Sequence, residues 1–225
     1  MTAWEVFMSS YAMTMVNNDV NTRIRTDRRL FFFMDAILLP IITLGIWSLV
    51  VIYRMMHRRD EHFRREAALY RDLSEAIKGH IRDHGVDPNT LPETAGLDAA
   101  IRDKEEREQA KGAGLWLIIS IITGGLGYIY VYYFLTVDFF HHEQREQEVL
   151  TKANLLLTSV GARPLILPQL ELPERHYWLN ILASFLTLGI WAIIWYYHMM
   201  SDPNRHFERQ WVWEDGLIGQ LSSVW

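Results

Sequence analysis

Thr43-Leu44-Gly45-Ile46-Trp47 recurs 144 residues later as Thr187-Leu188-Gly189-Ile190-Trp191, in a frame that runs without a gap from Ile37 to Leu73. Within that frame Met55-Met56 falls on Met199-Met200, and His62-Phe63 on His206-Phe207. A less similar copy, Ile121-Ile122-Thr123-Gly124-Gly125-Leu126, keeps the register at an offset of 80. Five positions are identical in all three copies: Thr43/Thr123/Thr187, Gly45/Gly125/Gly189, Tyr53/Tyr133/Tyr197, His62/His142/His206 and Arg65/Arg145/Arg209. Self-similarity of this kind marks repeated structural units. Each unit is an apolar run that turns at Thr-x-Gly and leaves on an aromatic-to-basic tail.

Half of the chain is apolar, with nine Trp, ten Tyr and ten Phe, yet 22% is charged, so greasy and water-facing parts must be segregated along the sequence. The apolar runs are Leu30 to Met56, interrupted by Asp35 and Arg54, then Gly114 to Val137 and Tyr177 to Met200. Each holds about 18 or more consecutive residues without formal charge, the length criterion for a transmembrane candidate. A net charge of −5 argues against a nucleic-acid partner. The absence of cysteine removes disulfides, thiolate nucleophiles and cysteine metal sites. Met1 to Val16 lacks a basic n-region and carries Glu5, unlike a cleaved signal.

Flanking charge decides between single spans and hairpins. Arg23, Arg25, Arg28 and Arg29 precede the first run, and eleven Lys plus Arg lie between 57 and 111. Basic residues also flank the second and third runs. Short basic loops stay in the cytoplasm, so every flank prefers one side and each copy needs an even number of crossings. A helical hairpin bent at Thr-x-Gly meets this need. Glycine reaches backbone angles closed to other residues, and the threonine hydroxyl can bond backbone groups freed at the bend, which would otherwise be costly in hydrocarbon. Arms of about 11 to 14 residues are roughly 17 to 21 Å long against a hydrocarbon core of about 30 Å. The expected fold is therefore an all-α membrane protein of three re-entrant hairpins, with kinked spans as the rival, joined by cytoplasmic amphipathic helices.

The expected organisation is an interfacial segment over 1–29, membrane repeats at 30–66, 112–146 and 176–210, a helical linker over 67–111, a helix plus Pro-rich strap over 147–175, and an amphipathic end over 211–225. Tyr53, Tyr133 and Tyr197, with Trp195, Tyr196, Tyr132 and Phe134, suit a headgroup-level aromatic belt. Phe63, Ala67, Tyr70, Leu73 and Ile77 make a stripe at helical spacing. Further helices are expected over about 97–111 and about 141–159, then an extended strap through Pro164, Pro168 and Pro173. Trp4, Phe7, Met8, Tyr11, Met15 and Val16 recur at helical spacing, either as an interfacial helix or as a cap on the protein's own helical layer.

Catalytic signatures are missing: there is no Gly-x-Ser-x-Gly elbow, phosphate loop or His-Glu-x-x-His, and Gly124-Gly125-Leu126-Gly127 sits in an apolar bend, not after a strand. His62, His142 and His206 lie 17 residues past their bend glycines, with Arg65, Arg145 and Arg209 three residues further on. If the copies pack around a pseudo-threefold axis, the imidazoles could converge on zinc or an anion. The alternative, which the repeated membrane-edge position favours, has His and Arg reaching headgroups or capping tail helices. The expectation is accordingly no catalytic residue, no metal and no cofactor, with bound lipids only. His141-His142-Glu143 point to different faces of a helix and read as an interfacial surface. Asp35, an acid inside an apolar run, is explained by contact with Arg28 or headgroups.

The Thr-Leu-Gly-Ile-Trp motif and its Trp/Tyr-rich continuation resemble small prokaryotic membrane domains marked by Thr-x-Gly-Ile-Tyr/Trp, here in three copies covering most of the chain outside the linkers. The middle copy departs from the motif, with Gly127 where the tryptophan stands. The resemblance implies a bacterial or archaeal integral membrane protein and brings no activity with it. The function expected is a non-enzymatic scaffold of the inner membrane, facing the cytoplasm, that self-assembles and organises or curves the bilayer. Its partners would be membrane lipids and copies of itself. An accessory subunit of a larger membrane complex is the alternative, and a channel or transporter component the third reading.

Overall fold

The computed structural model describes residues 3–224, with side chains over 11–222. Its described regular elements are helical: α1 (Ala3–Thr26), a π-helical segment (Phe32–Leu38) running into α2 (Leu39–Ile42), α3 (Ile46–Asp83), a 3-10 turn (Pro88–Thr90), α4 (Pro92–Arg107), α5 (Ala113–Ile122), α6 (Gly127–Ser159), α7 (Tyr177–Leu186) and α8 (Ile190–Val224). None of the described helices is long and apolar enough to cross a membrane.

Three helix–turn–helix pieces set the architecture, each with a short apolar arm before the bend and a helix of more than 30 residues after it. The same hydrogen bonds build all three bends. Thr43 Oγ1 donates to Leu39 O (2.8 Å) and accepts from Trp47 N (2.9 Å). Thr123 Oγ1 does so with Ile119 O and Gly127 N, and Thr187 Oγ1 with Ala183 O and Trp191 N. The hydroxyl thus adds a second donor to a carbonyl that already accepts from the threonine's own amide, and it caps one amide that the long helix leaves open. Gly45, Gly125 and Gly189 follow at φ 89°, 100° and 92°, where a Cβ would clash with the preceding carbonyl. Gly127 replaces the motif's tryptophan because α5 and α6 touch there: a Cβ at Gly127 would come within 2.8 Å of Ser120 Cα.

The long helices α3, α6 and α8 run parallel. Near the bends Val51, Met55, Val131, Leu135, Trp195 and Met199 share one buried cluster. At the far ends Leu73, Ile77, Ala153, Leu157, Leu217 and Leu221 share another. In the far cluster these residues fall on matching repeat positions, a small alanine facing two leucines, so the layers interdigitate about a common axis. Three outer elements cover the bundle. The first, α1, lies along α3, burying Ala12, Val16 and Val20. The second, α4, buries Leu97 and Ile101 against α6 and α3. The third is the extended strap after α6, tied down by Asn154 to Leu165 on both backbone groups and by Trp213 Nε1 donating to Ile166 O (2.7 Å).

Several expectations change. The N-terminal helix caps the bundle through Val16 and Val20; the side chains of Trp4, Phe7 and Met8, and Trp225, lie outside the described residues. The second linker helix begins at Pro92, not near 97, because proline fits the first turn. The helix expected from 141 is the continuation of α6, and the C-terminal end is the continuation of α8, in which Pro203 is accommodated. Trp195 and Phe134 are core residues, not members of an outer belt. Asp35 is partnered by Arg54 (2.8 Å), not Arg28, and also accepts from Phe31 N (2.8 Å), so the two charges that interrupt the first apolar run neutralise each other.

Candidate functional site

The three equivalent histidines meet on the bundle axis. His62, His142 and His206 project inward from α3, α6 and α8, all buried, with ring centroids 5.0–5.2 Å apart. Each hands its Nδ1 to a carboxylate. His62 Nδ1 is 2.8 Å from Asp27 Oδ1, His142 Nδ1 is 2.8 Å from Glu108 Oε2, and His206 Nδ1 is 3.0 Å from Glu143 Oε1. That arrangement turns every Nε2 toward its neighbours, and the Nε2 atoms of His62 and His206 stand 3.0 Å apart. One turn further along, Glu66, Glu146 and Gln210 occupy the next equivalent positions. Glu66 Oε1 accepts from Gln210 Nε2, and Glu66 Oε2 lies 3.1 Å from His142 Nε2. Tyr70 OH donates to Glu146 Oε1 (2.7 Å). Phe63 stacks on His142 with centroids 4.2 Å apart, and Phe139 and Phe207 wall the other side.

Each of the three repeated arginines has an acidic partner within the bundle or the strap. Arg65 is buried and bonds Glu214 Oε1 (2.5 Å) and Asp27 Oδ2 (3.1 Å). Arg145 bonds Glu108 Oε1 (2.8 Å), and Arg209 pairs with Glu171. Asp27, Glu108 and Glu171 each stand just ahead of a hairpin, on the end of α1, the end of α4 and the strap. The sequence carried a signal for them, since Asp27 and Glu171 share the 144-residue offset and Glu108 lies one residue off the 80-residue frame. The signal is faint because these acids sit in segments whose composition is that of linkers. The histidines therefore neither reach headgroups nor cap helices; they form an internal layer.

Burial governs the charges in this layer. It would raise Asp27, but His62 and Arg65 outweigh it, and the carboxyl is held well below the usual range. For Glu66 and Glu108 burial is likewise outweighed, chiefly by His142, and both are held low. Burial pushes His62 down to about 4 against the pull of Asp27. At His142 burial is outweighed by Glu108, and the ring is raised. Glu214 is pushed up to about 8 by burial, because Asp27 and Glu66 compete with it for Arg65.

At the other end of the bundle the bends present apolar side chains outward. Leu44 and Leu188 are 94% and 95% exposed, joined by Ile41, Ile122, Leu126, Phe185 and Leu186. Tyr53, Tyr133 and Tyr197 are exposed further along the long helices. Because α3, α6 and α8 are parallel, all three tips lie at one end. No protein-family model, curated protein or solved structure matches the chain.

Proposed function

We propose that the chain is a structural membrane protein that sinks its three hairpin tips into one leaflet and holds its helical bundle in the water on the cytoplasmic side. The supporting observation is the pair Leu44 and Leu188. Each sits at φ 51°, a left-handed conformation costing about 1–2 kcal/mol for a side-chain-bearing residue, and each is almost fully exposed. Glycine relieves that strain in the middle copy, where Gly124 adopts φ 61°. Keeping leucine at a strained, exposed position makes sense where its side chain meets hydrocarbon, which returns about 1.5–3 kcal/mol per residue. Short arms of 10 residues reach about 15 Å, close to half of a bilayer core of about 30 Å. The tyrosines lie about 12 Å behind the tips, at headgroup depth.

A groove of about 600 Å³ between the first and third hairpins, lined by Phe32, Ile52, Tyr132, Trp195 and Met199, offers room for a lipid acyl chain. Three wedges filling one leaflet more than the other favour curvature, and this is the scaffold role the reading assigns. The test is flotation with anionic lipid vesicles. Leu44→Gly combined with Leu188→Gly relaxes the backbone and removes two tip side chains, so the variant is expected to keep its helical content while vesicle partition falls about tenfold or more. Undiminished flotation would overturn the insertion reading, and wild-type vesicles that stay spherical under electron microscopy would overturn the curvature role.

A further inference from the structure

The histidine layer has a chemistry that membrane insertion does not use. We propose that His62, His142 and His206, through Nε2, together with the carboxylate of Glu66, bind one divalent transition-metal ion of the zinc class as a closed centre that staples the three long helices.

Four observations carry this. First, the donors converge: the ligand atoms of the three histidines lie within 4.8 Å of one another. Nitrogens in a four-coordinate zinc site, at about 2.0–2.1 Å from the metal, stand about 3.3 Å apart, so the 3.0 Å between His62 and His206 needs only a small outward movement.

Second, the tautomers are set from outside. With Nδ1–H donated to Asp27 and Glu143, neutral His62 and His206 present bare lone pairs at Nε2. Two such lone pairs 3.0 Å apart repel unless a shared proton or a metal ion lies between them. A carboxylate behind each histidine is the arrangement that orients ligating imidazoles and raises their basicity.

Third, the polar atoms facing the centre are incompletely satisfied. His142 Nε2 and Glu66 Oε2 are buried, make no well-formed hydrogen bond, and stand 3.1 Å from each other. Buried polar atoms of this kind call for an ion or a partner.

Fourth, the shell is dry. Phe63, Phe139 and Phe207 surround the rings, and a buried centre of three converging histidines with Glu66 beside His142 suits a structural ion, not a catalytic one. Lys104 does not take the ion's place. Its Nζ is held 2.6 Å from Glu108 Oε2 and 3.1 Å from His142 Nδ1, and stands farther, 3.7 Å, from Glu66 Oε2. A second donor group, Glu66, His142 and Glu146, adjoins the three histidines and shares His142 with them.

Imidazole binds several first-row ions, with affinity following the usual order up to copper and zinc. Four-coordination by three imidazoles and a carboxylate in a rigid layer selects zinc, and cobalt(II) is its spectroscopic substitute. Because the donors come from three copies of the motif, the ion would close the long loops between α3, α6 and α8. Its binding would then add directly to the stability of the fold.

The test uses the full chain in detergent, stripped with a chelator and titrated with Co(II), then Zn(II). The expected result is stoichiometric uptake, the intense visible absorption of four-coordinate Co(II), its loss on adding zinc, and a higher unfolding temperature with metal. His206→Gln should abolish the absorption. Asp27→Asn, which frees the orientation of His62, should weaken binding about 10- to 100-fold. His141→Ala, an exposed neighbour on the same helix, should change nothing. Should the histidine variant fail to fold, X-ray absorption of the zinc-loaded wild type decides, since bound imidazoles give outer-shell scattering that a water-ligated ion lacks. A wild-type chain that takes up no Co(II), or zinc without imidazole scattering, overturns the proposal and leaves the layer as a hydrogen-bonded core.

Discussion

At the scale of single residues, buried charge is the dominant feature of the bundle. Arg65 faces Asp27, Glu66 and Glu214 at once, and one guanidinium cannot hold three ionised carboxylates in a dry interior without cost. Glu214 is the one pushed toward protonation, up to about 8 from its ordinary 4.5. A raised pKa means that the folded state holds the proton more tightly than the unfolded one. The stability so contributed is complete below about 4.5 and is lost as pH rises through about 8. Glu214→Gln mimics the protonated form, so its urea midpoint is expected to gain on the wild type as pH goes from about 5 to about 9; a gap that stays constant with pH would contradict the assignment. The repeated His and Arg were legible as repeated. Their destinations were not, because a residue's distance from a bend says nothing about which face of the helix is buried.

At the scale of elements, the hairpin is the unit, and each bend is a local solution readable from Thr-x-Gly. One hydroxyl ties the two helix ends together, and two successive residues, the second a glycine, take the left-handed turn. The middle hairpin shows what sets the spacing of its arms. Gly127 lies against Ser120, with the backbone of α5 inside the distance a Cβ would need. Gly127→Ala is expected to force α5 and α6 apart and cost about 1–3 kcal/mol, as overpacking does, read as a lower unfolding midpoint. Trp47→Ala, at the equivalent first-copy position, removes bulk instead and should leave the arm spacing intact. The boundaries of α4 and the continuity of α6 and α8 escaped the sequence reading. Amphipathic periodicity does not break where a helix leaves one environment for another, so a change of composition at about 141 or 211 looked like an end.

At the scale of the whole molecule, the parallel run of α3, α6 and α8 puts all three tips at one end and the linkers around the shaft. Single cysteines at the exposed positions Glu75, Thr158 and Glu208, one beside each long helix's water-facing stretch, are therefore expected to react with an impermeant reagent from the same side of a sealed vesicle or spheroplast. Protection of one of the three while the others react would contradict the proposed one-sided insertion. By itself, the sequence determined the helical class, the three bends and the positions that repeat, because hydropathy, glycine and threonine act over a few neighbouring residues. Only the tertiary structure decided that the histidines meet and that Arg65 is buried with Asp27 and Glu214. It alone brought the acids of α1, α4 and the strap behind the histidines and arginines. Those outcomes depend on which helix faces pack about the shared axis, and packing couples residues more than 140 positions apart, such as His62 and His206, which no local pattern connects.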